Sequence, residues 1–437
     1  MDTQLRKKIL STLFIIVLFR LGSNIFVPFL DNSAISTMMS GASLLNYLDV
    51  MTGGSLGKGT LLAMSITPYI NASIIIQLLA VAIPPLEKLQ KEGEEGRKKL
   101  NTITKFTSLA LAILQAVAFY FTLRNGYTDS NGVHTAILKY GDIREANPDM
   151  FAVILSAIVI VACFVAGASM IIWLGDRINE KGIGNGISMI LFAGIISGLP
   201  NAVTYFYGLC KESLSNIIFV LLAIVIFIAM VWFVIMMTNA ERRIPVQYAK
   251  RVVGRKMYGG QSTHIPIKVA MSGVMPIIFA MSLMSLPQTI LFFFQIDGTG
   301  DTFWDGFVRL FSQRSPLYAV IYFLLIIAFN YFYVSIQYNP VEIANNLKKN
   351  NGAIPGYRPG KPTSDFIYNS LNKITLIGAI FLGIIAIFPI ILALCVPSLQ
   401  GISIGGTTIL IVVGVALETV RSLESQIMMR HHPGFLD

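Results

Sequence analysis

Four histidines, three cysteines and two glycine-rich stretches are the residues of this 437-residue chain from which chemistry would ordinarily be built. His134, His264, His431 and His432 stand apart from carboxylates and cysteines, so none falls at the spacing a metal ion requires. Cys163, Cys210 and Cys395 are odd in number and two lie within or beside apolar runs, which fits free thiols rather than a disulfide framework. "GGSLGKGT" over residues 53–60 carries the lysine of a phosphate loop, but the spacing is wrong and a glycine follows Lys58 where Ser or Thr is required. "GIGNG" over 182–186 likewise misses the dinucleotide pattern. No catalytic residue, metal or cofactor is therefore expected, and any energy source must come from a partner.

The residues that remain unusual are polar groups in apolar surroundings. "SITPYINASIIIQLL", residues 65–79, sets Thr67, Asn71, Ser73 and Gln77 in a bilayer-like run, with Pro68 interrupting the backbone ladder. On a helix Ile66, Ile70 and Ile74 form one row, while Asn71 points about 100° away toward a neighbour. A second interruption, Pro276 in "VMPIIF", falls in the corresponding run of the other half of the chain. Matched breaks of this kind hint at an inverted repeat with a central path, although prolines and small polar residues are also ordinary packing features of membrane helices.

The elements that would position these residues follow from composition. With 54% hydrophobic residues, 13% charged ones and a mean hydropathy of +0.68, the chain lies outside the balance of a soluble domain. Its apolar residues form ten runs of spanning length, at about Ile9 to Pro28, Thr60 to Ile83, Phe106 to Leu123, Met150 to Leu174, Ile183 to Leu199, Asn216 to Met237, Val269 to Phe294, Leu317 to Ile336, Ile374 to Val396 and Thr407 to Leu423. The first follows Arg6, Lys7 and Lys8 like a signal peptide, but it continues through Arg20 without a small-residue cleavage pattern and is read as a retained span. If the N-terminus is cytoplasmic, inner segments hold 25 of the 33 Lys and Arg residues, outer segments 7 and the first run Arg20, a bias that supports both termini inside.

Two inner loops exceed what topology needs. In 239–268, Ile244, Val246 and Tyr248 alternate with polar residues and Gly259-Gly260 offers a turn, suggesting a projecting hairpin with Arg251, Arg255, Lys256 and Tyr258 near its tip. The loop 337–373, with "NNLKKNNGAIPGYRPGKP", is too long and too rich in Gly and Pro for a mere connector. Both suit an acidic or RNA-containing partner. Transport is the leading class of function. An ion-coupled transporter would keep ionisable groups near mid-membrane, whereas Arg20, Asp176, Glu418 and Arg421 fall toward span ends. A membrane-embedded enzyme would need a catalytic constellation, and none is legible.

Longer motifs narrow the choice: "MSITPYINASIIIQLL" (64–79), "KEGEEGRKKLN" (91–101), "WLGDRINEKGIGNGISMILFAGI" (173–195), "PIKVAMSGVMPIIFA" (266–280), "NPVEIANNLKKNNGAIPGYRPG" (339–360) and "GGTTILIVVGVALE" (405–418). Together they resemble the SecY family, channel subunits of the bacterial Sec translocon, from the first span to the last. The resemblance implies an all-α polytopic protein of the cytoplasmic membrane. Its ten transmembrane helices would form two pseudo-symmetric halves, 1–200 and 201–437, around an hourglass pore. By motif position the pore ring would be Ile66, Ile70, Ile187, Leu191, Ile278 and Ile411, Leu191 standing where isoleucine is usual. A narrow aliphatic ring dewets and blocks ions without holding a passing peptide.

The same resemblance makes Leu44 to Gly59 a plug beneath the ring, with Gly53, Gly54, Gly57 and Gly59 as its hinge. It implies a lateral gate between spans two and three and spans seven and eight, at which Asn71 and Gln115 could hydrogen-bond. It implies docking of the ribosome and of the SecA motor ATPase on Arg242, Arg243, Arg251, Arg255, Lys256 and Arg358. SecE and SecG are the implied membrane subunits, and secretory preproteins, signal peptides and membrane lipid the implied contacts of the open channel.

Overall fold

The computed structural model describes residues 3–41, 49, 52–128, 134–140, 149–212, 214–248, 251–253, 256–258, 262–293, 306, 315–395 and 406–431. Each of the ten apolar runs falls on a helix. In chain order these are α1 (Thr3–Gly22), α3 (Thr67–Ala82), α5 (Glu94–Arg124), α6 (Met150–Lys181), α7 (Gly186–Ser197), α9 (Leu214–Asn239), α10 (Met275–Phe293), α11 (Pro316–Gln337), α13 (Lys361–Cys395) and α14 (Gly406–His431). Between them lie α2 (Asn32–Gly41), α4 (Pro84–Lys91), α8 (Leu199–Glu212) and α12 (Pro340–Lys349). Among the described residues, stretches within α5, α6, α9 and α13, and α11 continued through α12, are long and apolar enough by themselves to cross a membrane. The pair α3 and α4, bent by 105°, is a possible sixth. α7, with 12 residues, rises only about 18 Å.

Two helices start in the middle of their apolar runs, and this revises the reading of the prolines. Residues 60–66 and 269–274 are chiefly turns, and Pro68 and Pro276 are each the second residue of the helix that follows. In a first turn the missing N–H costs nothing, so these prolines open α3 and α10 rather than break them. The two starts match closely. Ser65 (φ 47°) and Gly273 (φ 63°) each stand two residues ahead of the helix. Ile70 N donates to Ile66 O at 3.0 Å as Ile278 N donates to Val274 O at 3.3 Å. Irregular backbone at this depth is tolerated only where protein or a cavity covers it, and both turns abut the interior described below.

α1, α3, α5, α6 and α7 pack among themselves, as do α9, α10, α11, α13 and α14, and the groups meet where α7 touches α14 and α10 touches α3 and α5. The largest apolar cluster spans both groups, drawing on Ile15, Ile66, Ile178, Leu191, Ile278, Tyr322, Phe381 and Ile411. The "GIGNG" stretch seats α7. Asn185 accepts from Ile187 N (3.1 Å), Asn179 Oδ1 accepts from Gly186 N (2.7 Å), and Thr12 Oγ1 of α1 accepts from Ile183 N (3.1 Å). A Cβ at Gly186 would lie 1.9 Å from Gly175 O, so α6 and α7 meet backbone to backbone.

The expected hairpin is present. β3 (Glu241–Tyr248) pairs antiparallel with β6 (Ser262–Lys268), and β4 (Arg251–Val253) with β5 (Lys256–Tyr258). Short strands β1 (Tyr127–Thr128) and β2 (His134–Thr135) pair elsewhere. Val253 pairs with Lys256, so the chain reverses between them, and Gly259-Gly260, where the sequence offers a turn, lies outside the described residues. β7 (Gly352–Ala353) adds to the far edge of β3. Ile244, Val246 and Ile267 are buried with Ala344, Leu347, Ile354 and Leu371, so the two basic loops share one core. The sequence presents them as separate.

Candidate functional site

Five of the six expected ring residues line one small cavity of about 30 Å³: Ile66, Ile70, Leu191, Ile278 and Ile411, together with Ser65, Thr67, Met281, Ser282 and Ser285. A space of this size can hold water but not an extended polypeptide. Ile66, Leu191, Ile278 and Ile411 are buried, and Ile70 is half-buried against the same core. Ile187, in the first turn of α7, packs on that core without lining the cavity. Four helices and the turn before α3 supply the lining, so the constriction depends on how α3, α7, α10 and α14 converge. Apolar side chains make up most of this wall, beside the hydroxyls of Ser65, Thr67, Ser282 and Ser285, and they offer water no hydrogen bonds and a peptide no fixed partner.

At the seam where α10 meets α3 and α5, the polar contact differs from the expected one. Asn71 is buried on α3, and its Oδ1 has no partner among the described residues. Gln115 is half-buried on α5 and likewise makes no hydrogen bond there. Instead Tyr333 Oη of α11 donates to Gln77 Oε1 of α3 at 2.6 Å, and Gln77 Nε2 donates to Ser73 Oγ at 2.9 Å. The Tyr333 ring is 5.2 Å from that of Phe279 on α10, and Phe279 meets Phe329 edge-on at 6.0 Å. Gln77 stands in the polar stretch first noted at 65–79. Tyr333 carries no sequence signal, because an aromatic residue in an apolar helix reads as packing.

Of the expected plug, residues 44–48, 50 and 51 lie outside the described residues. The rest is compact. Asp49 O accepts from Thr52 N (3.1 Å) and Gly54 N (2.8 Å), and its Oδ1 accepts from Gly57 N (2.6 Å). Burial pushes the Asp49 carboxyl up, against the Gly57 N–H and the Lys58 charge. Gly53, Gly54 and Gly59 have φ of 68°, 79° and 60°, whereas Gly57 sits close against Asp49: a Cβ there would stand 3.0 Å from Asp49 Oδ2. Gly53 O accepts from Arg20 Nη1 and from Ser197 Oγ, each at 3.3 Å.

On the shared core of the two loops, Arg242 and Arg243 are exposed on β3, and Arg243 Nε reaches Glu241 Oε1 at 2.8 Å. Arg251 and Lys256 fall on β4 and β5, and Arg255 lies outside the described residues. Arg358 is exposed, and its side chain has no ionic partner among the described residues. Its backbone is fixed nonetheless, since Thr363 Oγ1 donates to Arg358 O at 2.8 Å and the neighbouring Tyr357 ring packs 4.3 Å from Phe366. At the root of the hairpin, burial and the nearby Arg421 charge push the Lys268 ammonium down. Arg421 Nη2 bonds Thr238 O (2.9 Å) and Asn239 Oδ1 (2.7 Å), and Asp176 pairs with Lys105 Nζ at 2.7 Å, so these charges serve as ties between helices.

A family model described as SecY matches residues 60–420. "Protein translocase subunit SecY" from Streptomyces galbus is 40% identical over 444 residues, covering 99% of this chain and 97% of the relative. The protein of that name from Mycobacterium bovis is 40% identical over 446 residues, with the same coverage of each chain. Among solved structures, one described as "The structure of a protein conducting channel" aligns over 100% of this chain and 96% of its own, with a TM-score of 0.66 at 18% identity. Sec61 in the canine ribosome-channel complex aligns over the same shares, with a TM-score of 0.64 at 17% identity. At these identities the structures establish likeness of fold.

Proposed function

The chain belongs to the SecY family, so it is a multi-pass membrane protein and a channel subunit of the Sec translocase rather than an enzyme, and we propose that the cavity between α3, α7, α10 and α14 is its pore seal. One observation carries the reading: aliphatic side chains from four helices converge on a space of about 30 Å³. A gasket of this kind parts around an extended polypeptide and closes after it, because dispersion contacts impose no orientation. Ile187 completes the ring from the first turn of α7. The halves 1–200 and 201–437 hinge about this seal, each contributing a helix that opens on a proline two residues before its ring isoleucine.

The seam between α3/α5 and α10/α11 is the lateral exit for signal sequences and membrane segments into lipid. Asn71 and Gln115 flank it, and Gln77 with Tyr333 closes it. Residues 44–59 are the plug. The Lys and Arg asymmetry supports both termini on the cytoplasmic face of a bacterial inner membrane. The hairpin and the Arg358 loop, with Arg242, Arg243, Arg251, Arg255 and Lys256, then dock the ribosome and SecA, and SecE and SecG complete the complex. Cysteines placed singly at Ile70, Ile278 and Ile411 test the seal. Each should cross-link to a preprotein arrested in transit, whereas a cysteine at Ile160, buried within the first helix group, should not. Equal labelling at all four positions would overturn the reading.

A further inference from the structure

Arg20 is the one cation inside the first apolar run. It is half-buried, and it has no carboxylate partner among the described residues. Ionisable groups in such segments are rare, because withdrawing a charge from water is costly, and one that persists ordinarily serves a particular partner. Arg20 Nη1 points at Ser23 Oγ (3.4 Å) and at the carbonyl of Gly53 (3.3 Å), 33 residues further along the chain.

The contact is built from both sides. Ser197 Oγ, at the end of α7, lies 3.3 Å from the same carbonyl, although its proton is shared with Gly194 O at 2.6 Å. A Cβ at Gly53 would stand 2.6 Å from Ser197 Oγ and 2.7 Å from Gly194 O, so any other residue would push the segment off α7. Behind Gly53 the segment is closed on itself by Asp49, whose backbone and carboxylate accept from Thr52, Gly54 and Gly57. Gly59 O also accepts from Val27 N at 3.0 Å and Leu56 is buried with Val27 and Leu30, so the segment is anchored at its far end and swings away from α7 when the Gly53 contact is released. The carbonyl and the guanidinium would then both be rehydrated in the vacated space, which keeps the contact reversible.

Resting on the plug reading above, we infer that Arg20 is a latch: its charge-assisted bond to Gly53 O holds Asp49 and residues 52–57 against the outer ends of α1 and α7 and sets how often the resting channel opens. Arg20 is a positioning residue in this role, and Ser197 is a secondary donor. A bond with one ionised partner is stronger than a neutral one, so the two donors contribute unequally.

The test is the resting open fraction of single channels formed by the full chain assembled with its membrane partner subunits. Arg20→Met should raise it about tenfold, and Arg20→Lys, which keeps charge and donor, should restore most of the closure. Ser197→Ala should raise it by less than about threefold. Gly53→Ala should raise it as Arg20→Met does, by displacing the segment instead of removing the donor. Insertion is checked for each variant by labelling of outer-loop cysteines, since Arg20 also bears on topology. Deletion of residues 52–57 separates the two readings. If the deletion raises resting conductance while Arg20→Met does not, the latch is wrong and the plug stands. If the deletion changes nothing, the plug reading fails and the latch with it.

Discussion

Ile70 and Ile278 occupy equivalent places, each two residues after a proline that opens its helix, and both line the same cavity. Removing aliphatic bulk from both sides at once leaves room for a continuous column of water that neither change alone need create. Ile70→Gly combined with Ile278→Gly should therefore raise resting ion conductance at least about threefold, with each single variant well below that. Single-channel recording of the reconstituted complex checks this, and a double variant as tight as wild type would remove these side chains from the seal. Each glycine also weakens the first turn of its helix, so thermal stability of the purified complex should be followed in parallel.

At the scale of elements, if the seam is the lateral exit proposed above, the contact between α3 and α11 sets how readily it parts. The Tyr333 to Gln77 bond is of the interhelical kind worth about 0.6 to 1.7 kcal/mol in membranes, which corresponds to a shift of about three- to eighteenfold in the open population. Tyr333→Phe and Gln77→Leu should both let less hydrophobic signals open the seam. Asn71→Leu should act in the opposite direction. It replaces a buried amide whose oxygen has no partner among the described residues, and relief of such a group favours the state in which it was buried. Insertion of a graded Leu/Ala signal series measures all three. A common direction of shift would refute the distinction drawn between Gln77 and Asn71.

For the whole molecule, the basic loops fold as one body on α12 and the start of α13, so a partner bound there grips the ends of α9, α11 and α13 together. Arg358 is displayed on a backbone already fixed by Thr363 and by the Tyr357 to Phe366 contact, which reduces the ordering cost of docking. A guanidinium can pair with a carboxylate through two bonds at once, and Lys cannot reproduce that geometry. Arg358→Glu should insert normally but slow motor-driven export about tenfold, and Arg358→Lys should slow it to a lesser degree. Lys361→Glu, at the exposed first residue of α13, should do little. Protease protection of a preprotein in vesicles reports export, and a wild-type rate for Arg358→Glu would leave the residue an ordinary inner-face charge.

Much of this was legible in the order of residues alone. Ten apolar runs fixed the helices, because a bilayer admits few other ways to satisfy the backbone, and the alternation of Ile244, Val246 and Tyr248 fixed the hairpin through the two-residue period of a strand. The ring residues were named from motif resemblance, and periodicity placed Ile66 and Ile70 on one face. Tertiary structure decided what depends on neighbours distant in sequence. It made Pro68 and Pro276 the starts of helices, because the turns before them are covered by other elements. It gave the bond across the seam to Gln77 instead of Asn71, because the partner hydroxyl arrives from Tyr333, 256 positions away. It gave Arg20 a carbonyl 33 positions on, and it joined two loops that the sequence separates by some 70 residues. Local pattern reports which face a residue occupies, and only the packed chain reports what stands opposite it.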